Sequence, residues 1–144
     1  HGDSGKGLEP IEPGPLADNP PAMGPAGTVH CSLADWAKFV IAHLEAGRKG
    51  RRLLKASTFR KLHSPSFGGD YASGWIARKR PWGGGRVFTH AGSNNANFCV
   101  VWMAPQKRFA VLVATNCAGG DTAKACDEAV WMLIQSYLLD RTKP

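Results

Sequence analysis

The chain has 144 residues, enough for one domain or a large piece of one. Hydrophobic residues make up 43 %, which excludes disorder throughout, and no apolar run approaches the ~20 residues of a membrane span. Lys and Arg number 18 against 11 Asp and Glu, a formal charge of +7, part of it concentrated in Arg48, Lys49, Arg51 and Arg52. No nucleic-acid motif accompanies that run, so a nucleic-acid partner is not expected. The run reads as a solvated loop after a helix, where cations are favoured.

The chain opens at His1 in a polar, Gly-rich stretch with no signal-peptide pattern, and reads as a cut made in a longer protein. Residues 1–31 hold six of the ten prolines, at 10, 13, 15, 20, 21 and 25. Proline removes donors and fixes φ, so this stretch is predicted to be a structured, extended loop lying over another surface. A second segment, 32–144, carries the periodic elements. Ser32 is the predicted N-cap of a helix, with Asp35 as its capping-box acid. Leu33, Trp36, Ala37, Val40, Ile41 and Leu44 supply its buried stripe, and Gly47 its stop. His43 falls between buried positions and is expected to be solvated or capping. A shorter helix runs from Ser57 or Thr58 to about His63.

The period then changes. Tyr71 to Arg78 reads as a strand, Pro81 to Gly85 as a turn, Arg86 to Ala91 as a second strand and Asn97 to Met103 as a third. Ala104 to Lys107 is a tight turn and Arg108 to Thr115 a fourth strand. Short connections imply antiparallel neighbours. The run Phe109–Ala114 is apolar on both faces and is predicted to be a central strand covered on both sides. Asp121 caps a last helix, whose stripe is Cys126, Ala129, Val130, Leu133, Ile134, Tyr137 and Leu138. The order of elements predicts an α+β protein. Trp36, Trp75, Trp102 and Trp131 are assigned to the core, and Trp82 to an exposed turn at a cleft rim.

Cysteines lie at 31, 99, 117 and 126, with no C-x-x-C pair, so neither a zinc ribbon nor a thioredoxin motif is supported. Cys99 reads as a small buried hydrophobe; Cys117 and Cys126 are placed where a disulfide is conceivable but not demonstrable from sequence. His1, His30, His43 and His63 have no regular ligand spacing, so no metal and no cofactor is expected.

The chemistry concentrates in Thr89-His90-Ala91-Gly92-Ser93, followed by the small polar turn Asn94-Asn95-Ala96. Gly lets a ligand approach the backbone, and the next amide can point at an oxyanion. The stretch from His90 to Asn116 resembles the C-terminal region of the serine β-lactamase and penicillin-binding-protein superfamily. There a K-T-G motif, or H-x-G in esterase-like members, precedes a small-residue turn, a strand ending near Pro, a tight turn and an apolar strand ending in Asn. Pro25-Ala26-Gly27, Ser32-x-x-Asp35-Trp36 and Tyr71-Ala72-Ser73-Gly74-Trp75 are similar to other stretches of the same superfamily, so the resemblance covers the chain from about residue 14 onward.

The resemblance implies a partial β-lactamase/transpeptidase-like fold, an antiparallel sheet closed by a C-terminal helix, and a small-molecule acyl substrate: an ester, an amide or a β-lactam. It implies that His90 takes the place of the motif lysine, that Gly92 keeps the strand flat against the ligand, and that Ser93 N–H is one of two oxyanion donors. Asn94 and Asn95 would line the cleft, and Ala91 removes a hydroxyl that the family often carries. The nucleophile motif is S-x-x-K, and no Ser of this chain has Lys three positions on. Ser57-Thr58-Phe59-Arg60 comes nearest, but arginine stays protonated and cannot act as a base. No catalytic residue is therefore assigned here. The chain is expected to be an inactive C-terminal fragment whose N-terminal portion carries the nucleophile. Tyr71 reads as a packing residue. Without the parent's first strands, residues 108–115 are expected to present an open edge, so that either copies self-associate through it or the N-terminal portion of the parent orders the chain. The rival readings are a non-catalytic binding module with the same pocket and a basic interaction domain. Many superfamily members are exported, so the resemblance offers a periplasmic or secreted parent.

Overall fold

A computed structural model describes the chain except for residues 4–6, 13, 15–16, 18, 47–52, 95 and 141–144. Gly47, the Arg48–Arg52 run and Asn95 thus lie outside the described residues. Two short strands, β1 (Gly2–Asp3) and β2 (Leu8–Glu9), pair antiparallel. A 3₁₀ turn at Pro21–Met23 leads into the single helical turn α1 (Gly24–Gly27). The predicted extended conformation of residues 1–31 is corrected at these points. Pro21 and Pro25 occupy first-turn positions, where a missing N–H costs nothing and the fixed φ suits a helix.

Helix α2 (Leu33–Leu44) starts as predicted. Ser32 Oγ accepts from the Asp35 amide at 3.1 Å and donates to the Asp35 carboxylate at 2.8 Å. Helix α3 (Ala56–Leu62) follows, ending at His63. Five strands form one sheet in the order β3-β4-β5-β6-β7, every pair antiparallel: β3 (Tyr71–Ala72), β4 (Trp75–Arg80), β5 (Gly85–Ser93), β6 (Phe98–Ala104) and β7 (Phe109–Thr115). Helix α4 (Thr122–Ile134) closes the chain and continues as a π-helical stretch, Gln135–Leu139. Asp121 stands at its N-cap position, but its side chain makes no capping bond.

The sheet separates two cores. Strand pairing places Trp75, Phe88, Val101 and Met103 on one face, where they pack on Val40 of α2, with Trp36 and Leu44 alongside. Val100 and Val111 on the opposite face pack on Cys126, Val130 and Ile134 of α4. This sandwich of helix, sheet and helix follows from burying each apolar face once.

Further expectations change. Tyr71–Arg78 is two strands, because Ser73 and Gly74 both adopt positive φ, 42° and 91°, and turn the chain back so that Ala72 pairs with Trp75. A two-residue turn of this hand matches strand twist. Strand β7 is the outermost strand on its side of the sheet, not a central one. Its double-faced apolar pattern reports the cover of α2 and α4 and carries no information about lateral neighbours. In α2 the buried stripe turns toward Trp36, Val40 and His43, while Leu33 and Ile41 are exposed. In the last helix Trp131 and Tyr137 face outward.

The turn between β4 and β5, Pro81–Gly83, places Gly83 directly on the core. A Cβ there would lie 2.2 Å from Val87 Cγ1. Trp82 in this turn is half-buried and packs edge-on against Trp102 at 6.1 Å, so it is no exposed rim residue. All four cysteines are free thiols, Cys99 half-buried and Cys126 buried, and Cys117 Sγ lies 3.0 Å from the Thr122 hydroxyl.

Candidate functional site

Strand β5 outruns its neighbour. Its ladder to β4 ends at Ile76↔Thr89, whereas its ladder to β6 continues through His90, Ala91 and Gly92 to Ser93↔Phe98. The predicted motif therefore ends the strand, as expected, with the strand running two residues past Ala91 to Ser93. Ala91, Gly92 and Ser93 are exposed, in contrast to Val87, Phe88 and Thr89, which are buried. One strand thus runs from the core out to the surface within seven residues.

The exposed end borders a cavity of about 650 Å³. Gly92, Ser93 and Asn94 form one wall. Met23, Gly27 and His30 of the proline-rich segment form another, and Asn116, after β7, closes the far side. The proline-rich segment is held in shape by Asn19, whose amide donates to the Gly27 carbonyl at 3.0 Å. A Cβ at Gly27 would meet Asn19 Nδ2 at 2.4 Å, so a larger residue there would push the Asn19 side chain off this hydrogen bond. The cavity has a size typical of small-molecule sites. Asn94 lines it while its carboxamide oxygen ties the turn, accepting from the Asn97 amide at 2.8 Å and the Ala96 amide at 3.2 Å. Cys99 forms the floor beneath Gly92; burial pushes its thiol up.

The six predicted contact residues divide. Gly92, Ser93 and Asn94 share the cavity; His90 and Ala91 precede it on the same strand, and Asn95 is not described. His90 is engaged elsewhere: the Tyr71 hydroxyl lies 3.3 Å from its Nε2, with the rings edge-to-face at 6.0 Å. The reading of Tyr71 as a packing residue is corrected, since it is 53 % exposed and touches His90 with its polar end. The Ser-Gly turn was the sequence signal that could have found it, because only a fold-back at 73–74 brings Tyr71 toward β5.

The family model described as Beta-lactamase matches residues 1–133. The chain belongs to the Beta-lactamase family. No curated protein and no solved structure matches it. Membership accounts for the α+β layering, the antiparallel sheet and the closing helix. It also makes a hydrolase the general class of this protein.

A second polar cluster was not foreseen. His43, expected at the surface, is 5 % exposed, and its Nδ1 lies 2.9 Å from His63 Nε2. Phe39, Phe59 and Trp75 surround the His43 ring, and His63 stacks on Phe88 with centroids 4.4 Å apart. Burial lowers the pKa of both rings; for His63, burial first and then the neighbouring His43 bring it to about 4. The pair is therefore neutral near pH 7, one nitrogen donating and the other accepting. Among the described residues no group of three potential ligands gathers here or elsewhere to hold a metal.

Proposed function

We propose that this protein forms the sheet-side wall of a serine acyl-transfer site acting on an ester, an amide or a β-lactam. The observation that carries the reading is the extension of β5 past β4 into the mouth of the cavity. A flat strand end with glycine at its centre lets a carbonyl substrate lie against the backbone. In this reading Ser93 N–H is one oxyanion donor, and the nucleophile's own amide is the other. His90, oriented by the Tyr71 hydroxyl, contacts the polar end of the substrate or its proton network. The apolar side chains of Met23 and Val29 receive the acyl group.

No Ser-x-x-Lys occurs in these 144 residues, so the serine enters the cleft from other polypeptide. Removing a nucleophile removes the attack geometry with it, and the chain alone is expected to bind without turning over. The same absence favours a second reading, a non-catalytic module that keeps the pocket. The test is an ester-hydrolysis assay on the isolated chain, then on the chain joined to a Ser-x-x-Lys-bearing partner. No turnover in the first and phosphonate-sensitive turnover in the second, weakened by His90→Ala, supports the enzyme. Saturable ligand binding that never yields turnover supports the module. Phosphonate-sensitive turnover by the isolated chain refutes both.

A further inference from the structure

At the opposite end of β5 from the cleft lies a second cavity, of about 320 Å³. Arg86 and Gly92 are six residues apart on one strand, about 20 Å at the rise of a β-strand. Its floor is apolar and aromatic: Phe59 and Phe88 are buried, and the His63 ring stacks on Phe88. Its rim carries Arg60 from α3 and Arg86 from β5, with the Gln106 carboxamide beside them. No carboxylate lines it, and among the described residues neither arginine has an ion-pair partner. The imidazole pair also lines the cavity, its facing nitrogens bonded to each other; burial keeps it neutral, so it brings no full charge to the site near pH 7.

We infer that this cavity binds a small organic anion, its carboxylate or phosphate head held between Arg60 and Arg86 and its apolar body laid on Phe59, Phe88 and His63. Guanidinium forks match the oxygens of both head groups and are the usual choice for them. An aromatic floor adds area that a bare inorganic ion cannot use. The pocket is separate from the cleft at Gly92–Asn94, and its occupant does not depend on the acyl-transfer reading.

The test is a titration of the full chain, followed by amide NMR, with benzoate and with phenyl phosphate; inorganic phosphate and benzyl alcohol serve as half-ligands. Saturable shifts at Arg60, His63 and Arg86 are expected, with Kd at or below about 1 mM, the range of a fragment-sized ligand. Each half-ligand binds at least about tenfold more weakly. Arg60→Gln and Arg86→Gln each weaken binding at least about tenfold while leaving the spectrum elsewhere and the thermal transition unchanged, since both side chains are exposed. The inference is overturned if the shifts do not saturate, if inorganic phosphate binds as well as phenyl phosphate, or if both variants bind as the parent does.

Discussion

Acidification from pH 7.5 to 4 tests the imidazole pair most directly. A histidine whose pKa is depressed on folding takes up its proton more readily in the unfolded chain. The stability it confers is complete above the unfolded value, 6.5, and declines as pH falls toward the folded value of about 4. At 1.36 kcal/mol per pH unit a fully buried ring would account for about 3 kcal/mol. His63 is only partly buried, and solvent screening roughly halves that, leaving about 1.5 kcal/mol. His43 acts in the same direction, because its ring is buried among Phe39, Phe59 and Trp75. The assay is urea unfolding at several pH values for the parent and for His63→Gln, which keeps the ring's approximate size and one acceptor. Groups outside the pair are common to both proteins and cancel in the difference. The parent should lose about 1.5 kcal/mol more than the variant between pH 7.5 and 4. Parallel stability curves would refute the assignment of a buried, neutral pair.

Other outcomes follow from single contacts. Gly83→Ala forces a methyl group against Val87, which is fully buried, and should cost about 1–3 kcal/mol with a matching fall in Tm. Ser32→Ala removes the acceptor of the Asp35 amide and should cost about 1 kcal/mol in chemical denaturation. Alkylation with iodoacetamide at mildly alkaline pH, read by peptide mass spectrometry, should modify exposed Cys31 well before Cys99 and Cys126. Burial raises the pKa of both inner thiols and so lowers their thiolate fraction; equal labelling of all three would contradict the packing around them.

Local chemistry was legible wherever a few adjacent residues decide the outcome. The Ser32 cap, the C-terminal end of α3, the turns at Pro81 and Pro105 and the tract of four longer strands all follow from short-range rules of φ, hydrogen bonding and period. The order of elements announced the α+β class, and the His90–Ser93 string marked the strand end that borders the cavity. The sequence by itself also determined that no serine here carries a lysine three residues on.

Only tertiary structure decided the rest, because it depends on which groups meet from distant parts of the chain. Periodicity shows that a residue is buried but not what lies beside it. Phe109–Ala114 therefore looked central when helices on both faces, not strands on both edges, explain its composition. His43 looked like a surface residue between apolar positions until α3 delivered His63 to its Nδ1 and made burial affordable. Tyr71 reached His90 only after a two-residue turn folded β3 back. Arg60 and Arg86, 26 positions apart in sequence, share one cavity only because α3 packs over the start of β5. Sequence specifies each element's local form through forces acting over a few residues, whereas a site needs polar groups brought together across long separations by burial of the two cores.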